Sequence, residues 1–337
     1  MKHIPLSLGL VFILLSCDTP TRNERPSKIY PTTGSIERLD PIMDELIPKD
    51  AEVEILASGF EWAEGPVWLA DQKALLFSDI PVNTVFRWSE KDSITEYLKP
   101  AGFGGSIEGK NEPGSNGLIL DKKGNLILCQ HGERQVARMM APLDKPDEVY
   151  EPLARDYNGM RLNSPNDITM SSEGVFYFTD PPYGLDDWNI KELDFQGVYK
   201  IDQEGKLTLQ IDDLTRPNGI GLSPDERTLY VAVSDPERAA YYAYQLDEEG
   251  NVAGGEMILD VTDMYSEERQ GNPDGMVINK SGYLFATGPG GVLIISPEGK
   301  HLGTILTGEK TANCTFNQDE SELYITADMH LMRVKLK

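Results

Sequence analysis

One motif returns six times along the chain: a short apolar strand opening on a side chain that offers an oxygen. The openings are Glu64, Asn116, Asn166, Asn218, Asp274 and Asn313, separated by 52, 50, 52, 56 and 39 residues. Behind each opening come alternating apolar positions, then a turn of Gly, Asp, Ser or Asn. A second apolar run follows, as in NDITMSSEGVFYFTD and NGIGLSPDERTLYVAVSD. Period-two runs joined by polar turns are antiparallel hairpins. A repeat of about forty to fifty residues with three or four strands each is the signature of a propeller blade.

The fold expected is therefore all-β, a six-bladed propeller spanning residues 51–337. The last repeat has chain enough for only about three strands before Lys337, judged by usual strand lengths. The run AEVEILASGF, just before Glu64, is well placed to supply the fourth. Closing the ring from the other end of the chain removes two exposed sheet edges. A ring without free edges needs no partner, so a monomer is expected.

The formal charge of −24 excludes nucleic acid, because no basic stripe is available to neutralise phosphates. At the N-terminus, the cationic start Met1-Lys2-His3 precedes a mostly apolar stretch, Ile4 to Leu15, too short for a stable span. The closing Leu14-Leu15-Ser16-Cys17 resembles a bacterial lipobox. Residues 1–17 are thus expected to be a lipoprotein signal peptide, with Cys17 carrying the lipid. This would place the protein at a bacterial cell envelope, touching membrane only through that anchor. Residues 18–50, rich in Pro, Thr, Ser and charge, are expected to be a flexible tether. Cys129 and Cys314 lie two repeats apart, so both are expected to be free buried thiols.

Common catalytic signatures are missing: there is no G-x-S-x-G, no H-E-x-x-H and no G-x-x-x-x-G-K-[ST]. Outside the leader only His131, His301 and His330 remain, too scattered for a three-histidine zinc site. Oxygen-bearing openings converging on one axis suit a hard cation instead. Calcium takes six to eight oxygens in flexible geometry, and one Glu with one Asp matches its charge. Against this, Asn-Gly and Asp-Gly are also ordinary turn pairs.

E-G-P-V-W at 64–68, N-S-P-N-D-I at 163–168, Y-F-T-D-P-P-Y-G at 177–184, R-P-N-G-I at 216–220, P-D-G-M at 273–276 and T-G-P-G-G-V at 287–292 together resemble the senescence-marker-protein (regucalcin)/gluconolactonase family. C-Q-H-G at 129–132 and D-F-Q-G-V-Y at 194–199 resemble its bacterial gluconolactonase branch. The resemblance implies a catalytic calcium held by Glu64, Asn166, Asn218 and Asp274, with Asp274 also the general base. Magnesium, zinc or manganese are the other metals considered. Asn116 and His131 are expected to contact substrate, and Asn313 to be structural. Regucalcin-type members carry an arginine where this chain has Ser164, so that arrangement does not transfer; Arg161 is a weak substitute.

The activity expected is hydrolysis of a small-molecule sugar lactone such as glucono-1,5-lactone. The alternatives are an organophosphate hydrolase on the same metal site and a binding propeller with structural calcium. Condensation of the strictosidine-synthase kind ranks lower, because it does not need the full Glu-Asn-Asn-Asp set.

Overall fold

The computed structural model describes Met1 and residues 28–337, so the leader and Cys17 lie outside the described residues. Among the described residues, six antiparallel sheets of four or five strands follow one another along the chain, and each carries one copy of the motif at its inner edge. The opening strands are Ala63–Leu69, Ser115–Leu120, Ile168–Met170, Pro217–Leu222, Met276–Ile278 and Thr311–Phe316. Each lies at one edge of its sheet and touches the opening strands of the blades before and after it. That contact pattern closes on itself, sixth to first. The protein is a six-bladed β-propeller.

The second strand of each blade explains the apolar runs in the sequence. Ala74–Asp79, Leu126–Gln130, Phe176–Asp180 and Leu284–Gly288 are buried along their whole length, on both faces. A strand sandwiched between two neighbouring sheets has no wet face, so it shows a continuous apolar run. The core is accordingly divided into wedges between blades. One wedge joins Tyr177 and Val198 of blade 3 to Ile220, Leu229 and Val231 of blade 4. Another joins Phe77 and Trp88 of blade 1 to Tyr324 and Leu331 of blade 6. Cys129 and Cys314 are free and buried in separate wedges.

Closure occurs where the sequence placed it. Val53–Ser58 pairs antiparallel with His330–Lys335 as the fourth strand of blade 6, with Ile55 opposite Met332 and Val53 opposite Val334. The tether reading needs correction over residues 28–50. Thr32–Thr33 adds a fifth strand to blade 6, and Ser35–Arg38 adds a fifth to blade 5 along His301–Leu306. The short helix Met43–Leu46 then drops Met43, with Ile47 just after it, into the wedge between blades 5 and 6, both at 0% exposure. Burying two such side chains stabilises the fold by about 1.5–3 kcal/mol each. Arg38 fixes the segment, donating to the carbonyls of Met43, Ile47 and Pro48 at 3.0, 3.2 and 2.7 Å. Strands of two and four residues carry too little periodicity to be read from sequence. Only residues 18–27 of the expected tether remain, outside the described residues.

Candidate active site

Local backbone geometry turns the motif's first residue toward the axis. In blades 1, 2, 4 and 6 the ladder between first and second strands breaks register at the opening, between Glu64 and Val67, Ser115 and Leu118, Pro217 and Ile220, and Thr311 and Asn313. Bulges of this kind re-aim side chains next to functional sites. In blades 3 and 5 the regular strand starts two residues after Asn166 and Asp274. The glycine following the opening residue is not a turn glycine. A Cβ on Gly219 would come within 2.1 Å of the Asp274 carbonyl oxygen, and one on Gly65 within 2.0 Å of the Asn116 carbonyl oxygen. The Gly219 N–H instead donates to Asp274 O at 3.1 Å. Glycine is there because neighbouring inner strands meet backbone to backbone near the axis.

Hydroxyls from the second strands tie these openings together around the ring. Ser78 donates to Asn116 O at 2.8 Å and Thr179 to Asn218 O at 2.7 Å. Ser234 donates to Pro273 O, and it also accepts from Asn218 Nδ2 at 2.9 Å, which orients that amide.

At the end of the channel where the first strands begin lies a cavity of about 310 Å³. Glu64, Asn116, Asn166, Asn218 and Asp274 all line it. The four expected ligands thus meet at one place, drawn from four blades. Glu64, Asn116 and Asn166 are each only 3% exposed, whereas Asp274 is half-buried. Burial pushes the Asp274 carboxyl well above the ordinary range; the charges of Glu64, Asp167 and Glu112 push it further, and a hydrogen bond from Asn218 opposes them. Burial likewise raises Glu64, opposed by the Gly65 N–H and reinforced by Asp167 and Glu112. The Asn116 Oδ1 is buried with no hydrogen-bond partner. Among the described residues, no three His, Cys, Asp or Glu side chains gather as a metal cluster, so this cavity is rich in amides as much as acids.

Other expectations divide. Asn313 lies outside this cavity, lining a second one of about 220 Å³ together with Asp167. It bonds the Asp167 carboxyl, and its own Oδ1 accepts from the Cys314 N–H at 2.8 Å. His131 is fully buried and does not line the cavity, so direct substrate contact by His131 is not what the fold provides. Its Nδ1 lies 3.1 Å from Oε2 of Glu112, which does line the cavity. Arg161 turns away, donating to the Glu133 carbonyl at 2.5 Å. Ser164 donates to Pro181 O at 2.6 Å and accepts from Gly184 N at 2.9 Å, which holds the Pro-Pro-Tyr loop so that Tyr183 reaches the cavity. Trp62 also lines it, while Trp68 stacks on Tyr324 at 5.2 Å. Sequence reasoning missed Glu112, Tyr265 and Lys310, all cavity-lining residues on loops between repeats. The only available signal was the Gly-rich loop 99–115, in which Glu112 sits.

The sequence model of the SMP-30/Gluconolactonase/LRE-like region matches residues 62–328. The chain belongs to this family. It is 37% identical over 314 residues to the gluconolactonase of Zymomonas mobilis subsp. mobilis, covering 91% of this chain and 87% of that one. A gluconolactonase structure from Xanthomonas campestris superposes with a TM-score of 0.79 at 29% identity, over 93% of this chain and 99% of the other. The pentonolactonase XacC of Haloferax volcanii is 25% identical over 276 residues, 78% of this chain and 80% of its own. In this chain five of the six motif residues line one cavity, and Asn313 lines another.

Proposed function

We propose that this protein is a calcium-dependent lactonase that opens a sugar lactone such as glucono-1,5-lactone. The observation that carries this reading is the meeting of Glu64, Asn116, Asn166, Asn218 and Asp274 at one cavity, in a chain similar over most of its length to proteins named gluconolactonase. The donor set fits a hard cation. Every motif residue in the cavity offers oxygen, two carboxylates repel each other across it, and Asn116 Oδ1 is buried without a partner. A divalent ion relieves that repulsion, and amide oxygens complete its shell without adding charge. Glu64, Asn166, Asn218 and Asp274 would hold it. Calcium suits such an oxygen set better than zinc, which favours nitrogen and sulfur.

A cation held by these residues would supply polarisation of the lactone carbonyl and charge stabilisation for the developing oxyanion. The remaining chemistry belongs to the chain. Asp274, half-exposed to the cavity, takes the proton of the attacking water. Asn116 lines the same cavity, as do the aromatic residues Trp62, Tyr183 and Tyr265, which would contact the substrate. The leader pattern further supports a lipid anchor at Cys17 that holds this domain at the cell envelope as a monomer.

The test is a pair of rates. With calcium present, the purified chain is expected to open glucono-1,5-lactone with kcat/KM at least about 10³-fold above its value on a phosphotriester, inside the usual span of enzyme specificity. Faster phosphotriester cleavage would replace the lactonase reading with the organophosphate one. Hydrolysis of neither, with calcium still bound, would leave a binding propeller.

A further inference from the structure

Blade 2 departs from a rule that its neighbours keep. At the end of the second strand, Asp79 accepts from the Trp62 N–H at 3.0 Å and Asp180 from the Asn163 N–H at 2.7 Å. Asp235, two residues past the strand Thr228–Val233, accepts from the Glu237 N–H at 3.1 Å. These acids cap backbone. In blade 2 the second strand, Leu126–Gln130, is followed directly by His131, which caps nothing. It is at 0% exposure, and neither ring nitrogen has an aligned hydrogen-bond partner. Leaving a buried polar group unpaired costs about 1–3 kcal/mol, so such groups in folded proteins call for a reason. Among the described residues, Glu112 is the acid paired with the ring, 3.1 Å from Nδ1, and Glu112 lines the cavity.

We propose that Glu112 is the general acid of lactone opening, and that His131 is the buried residue that positions it and shares its proton. This rests on the lactonase reading above. Nδ1 and Oε2 hold one proton between them, and Glu112 presents it to the cavity. The water oxygen bonds to the carbonyl carbon while its proton passes to Asp274. The bond from that carbon to the ring oxygen then breaks, leaving its electron pair on the ring oxygen, which takes the proton of the Glu112–His131 pair. One water is consumed, and one hydroxyl and one carboxylic acid form. The new acid ionises and returns a proton to the pair, and Asp274 releases its own to solvent.

An alkoxide is a poor leaving group and needs that proton, whereas a phenoxide leaves without it. With full-length protein and saturating calcium, Glu112→Gln is expected to lower kcat on glucono-1,5-lactone by about 10²–10³-fold, yet by less than about 10-fold on an aryl lactone that expels a phenoxide. Calcium should still bind and saturate, because Glu112 is not among the cation's ligands, so the rates are compared at saturation. His131→Asn should show the same leaving-group selectivity with a smaller loss. Equal losses on both lactones, or none on either, would overturn the proton-donor role while leaving the lactonase standing. If His131→Asn does not fold, Glu112→Gln alone decides. Wild-type protein that opens neither lactone removes the underlying reading itself, a result seen before any variant is made.

Discussion

Asp274→Asn is expected to lower kcat on glucono-1,5-lactone by about 10²–10⁴-fold, the usual contribution of a positioned base, while the propeller stays folded. Asparagine keeps the shape of the side chain and an oxygen for the Asn218 amide, and two backbone bonds also fix this position. Asp274 N donates to Thr287 O at 3.1 Å, and its carbonyl accepts from the Gly219 N–H. The substitution also removes one of the crowded carboxylates whose charges press on each other at the axis. Thermal unfolding of the metal-free variant should therefore occur at or above the wild-type temperature near neutral pH. Calcium affinity should weaken without vanishing, because Glu64 and the two asparagines remain. Unchanged turnover in a variant that still binds calcium would take Asp274 out of the chemistry.

Calcium binding to stripped protein is expected to release protons. The raised carboxyls of Glu64 and Asp274 retain protons where an ordinary carboxylate has lost them, and a cation bound to both must displace those protons. Affinity should then rise about tenfold per pH unit for each proton displaced. The same shifts set the sign of the stability profile. Unfolded, both groups ionise near about pH 4. Between that value and their raised folded values the native state binds more protons than the unfolded one. Metal-free protein should thus lose stability as pH rises through this window, and calcium should restore it. Calorimetric titrations in two buffers of different ionisation heat count the protons directly. A count of zero across the acidic to neutral range would contradict the crowding of the two acids.

Much of this architecture was legible because one physical demand repeats. Six inner strands must meet at an axis, so each opening carries a side chain for the channel, and in several blades a glycine lets the next strand approach. That is why the six openings could be picked out together and the closing strand Val53–Ser58 placed, whereas the set Glu64, Asn166, Asn218 and Asp274 was narrowed from them by the family resemblance. The Asn-Gly and Asp-Gly pairs looked like turns because the same small residue serves both tight turns and close backbone approach; only coordinates separate the two, as at Gly219. What escaped lies outside the repeat. Glu112 belongs to a connecting loop, where no periodicity marks a functional side chain. Residues 32–47 form strands too short to show alternation, and their apolar members Met43 and Ile47 are buried by blades far away in sequence. His131 was singled out by its motif, but its place behind Glu112 depends on loop geometry that the sequence does not encode locally.

Chelator-stripped protein, followed by its rate of glucono-1,5-lactone opening as calcium is returned, gives the most direct test of the central cation. The rate should begin at background, climb to saturation with calcium, and fail to recover in a Glu64→Gln, Asn166→Ala double variant. Full activity in the stripped protein, or full recovery in that variant, would contradict the account.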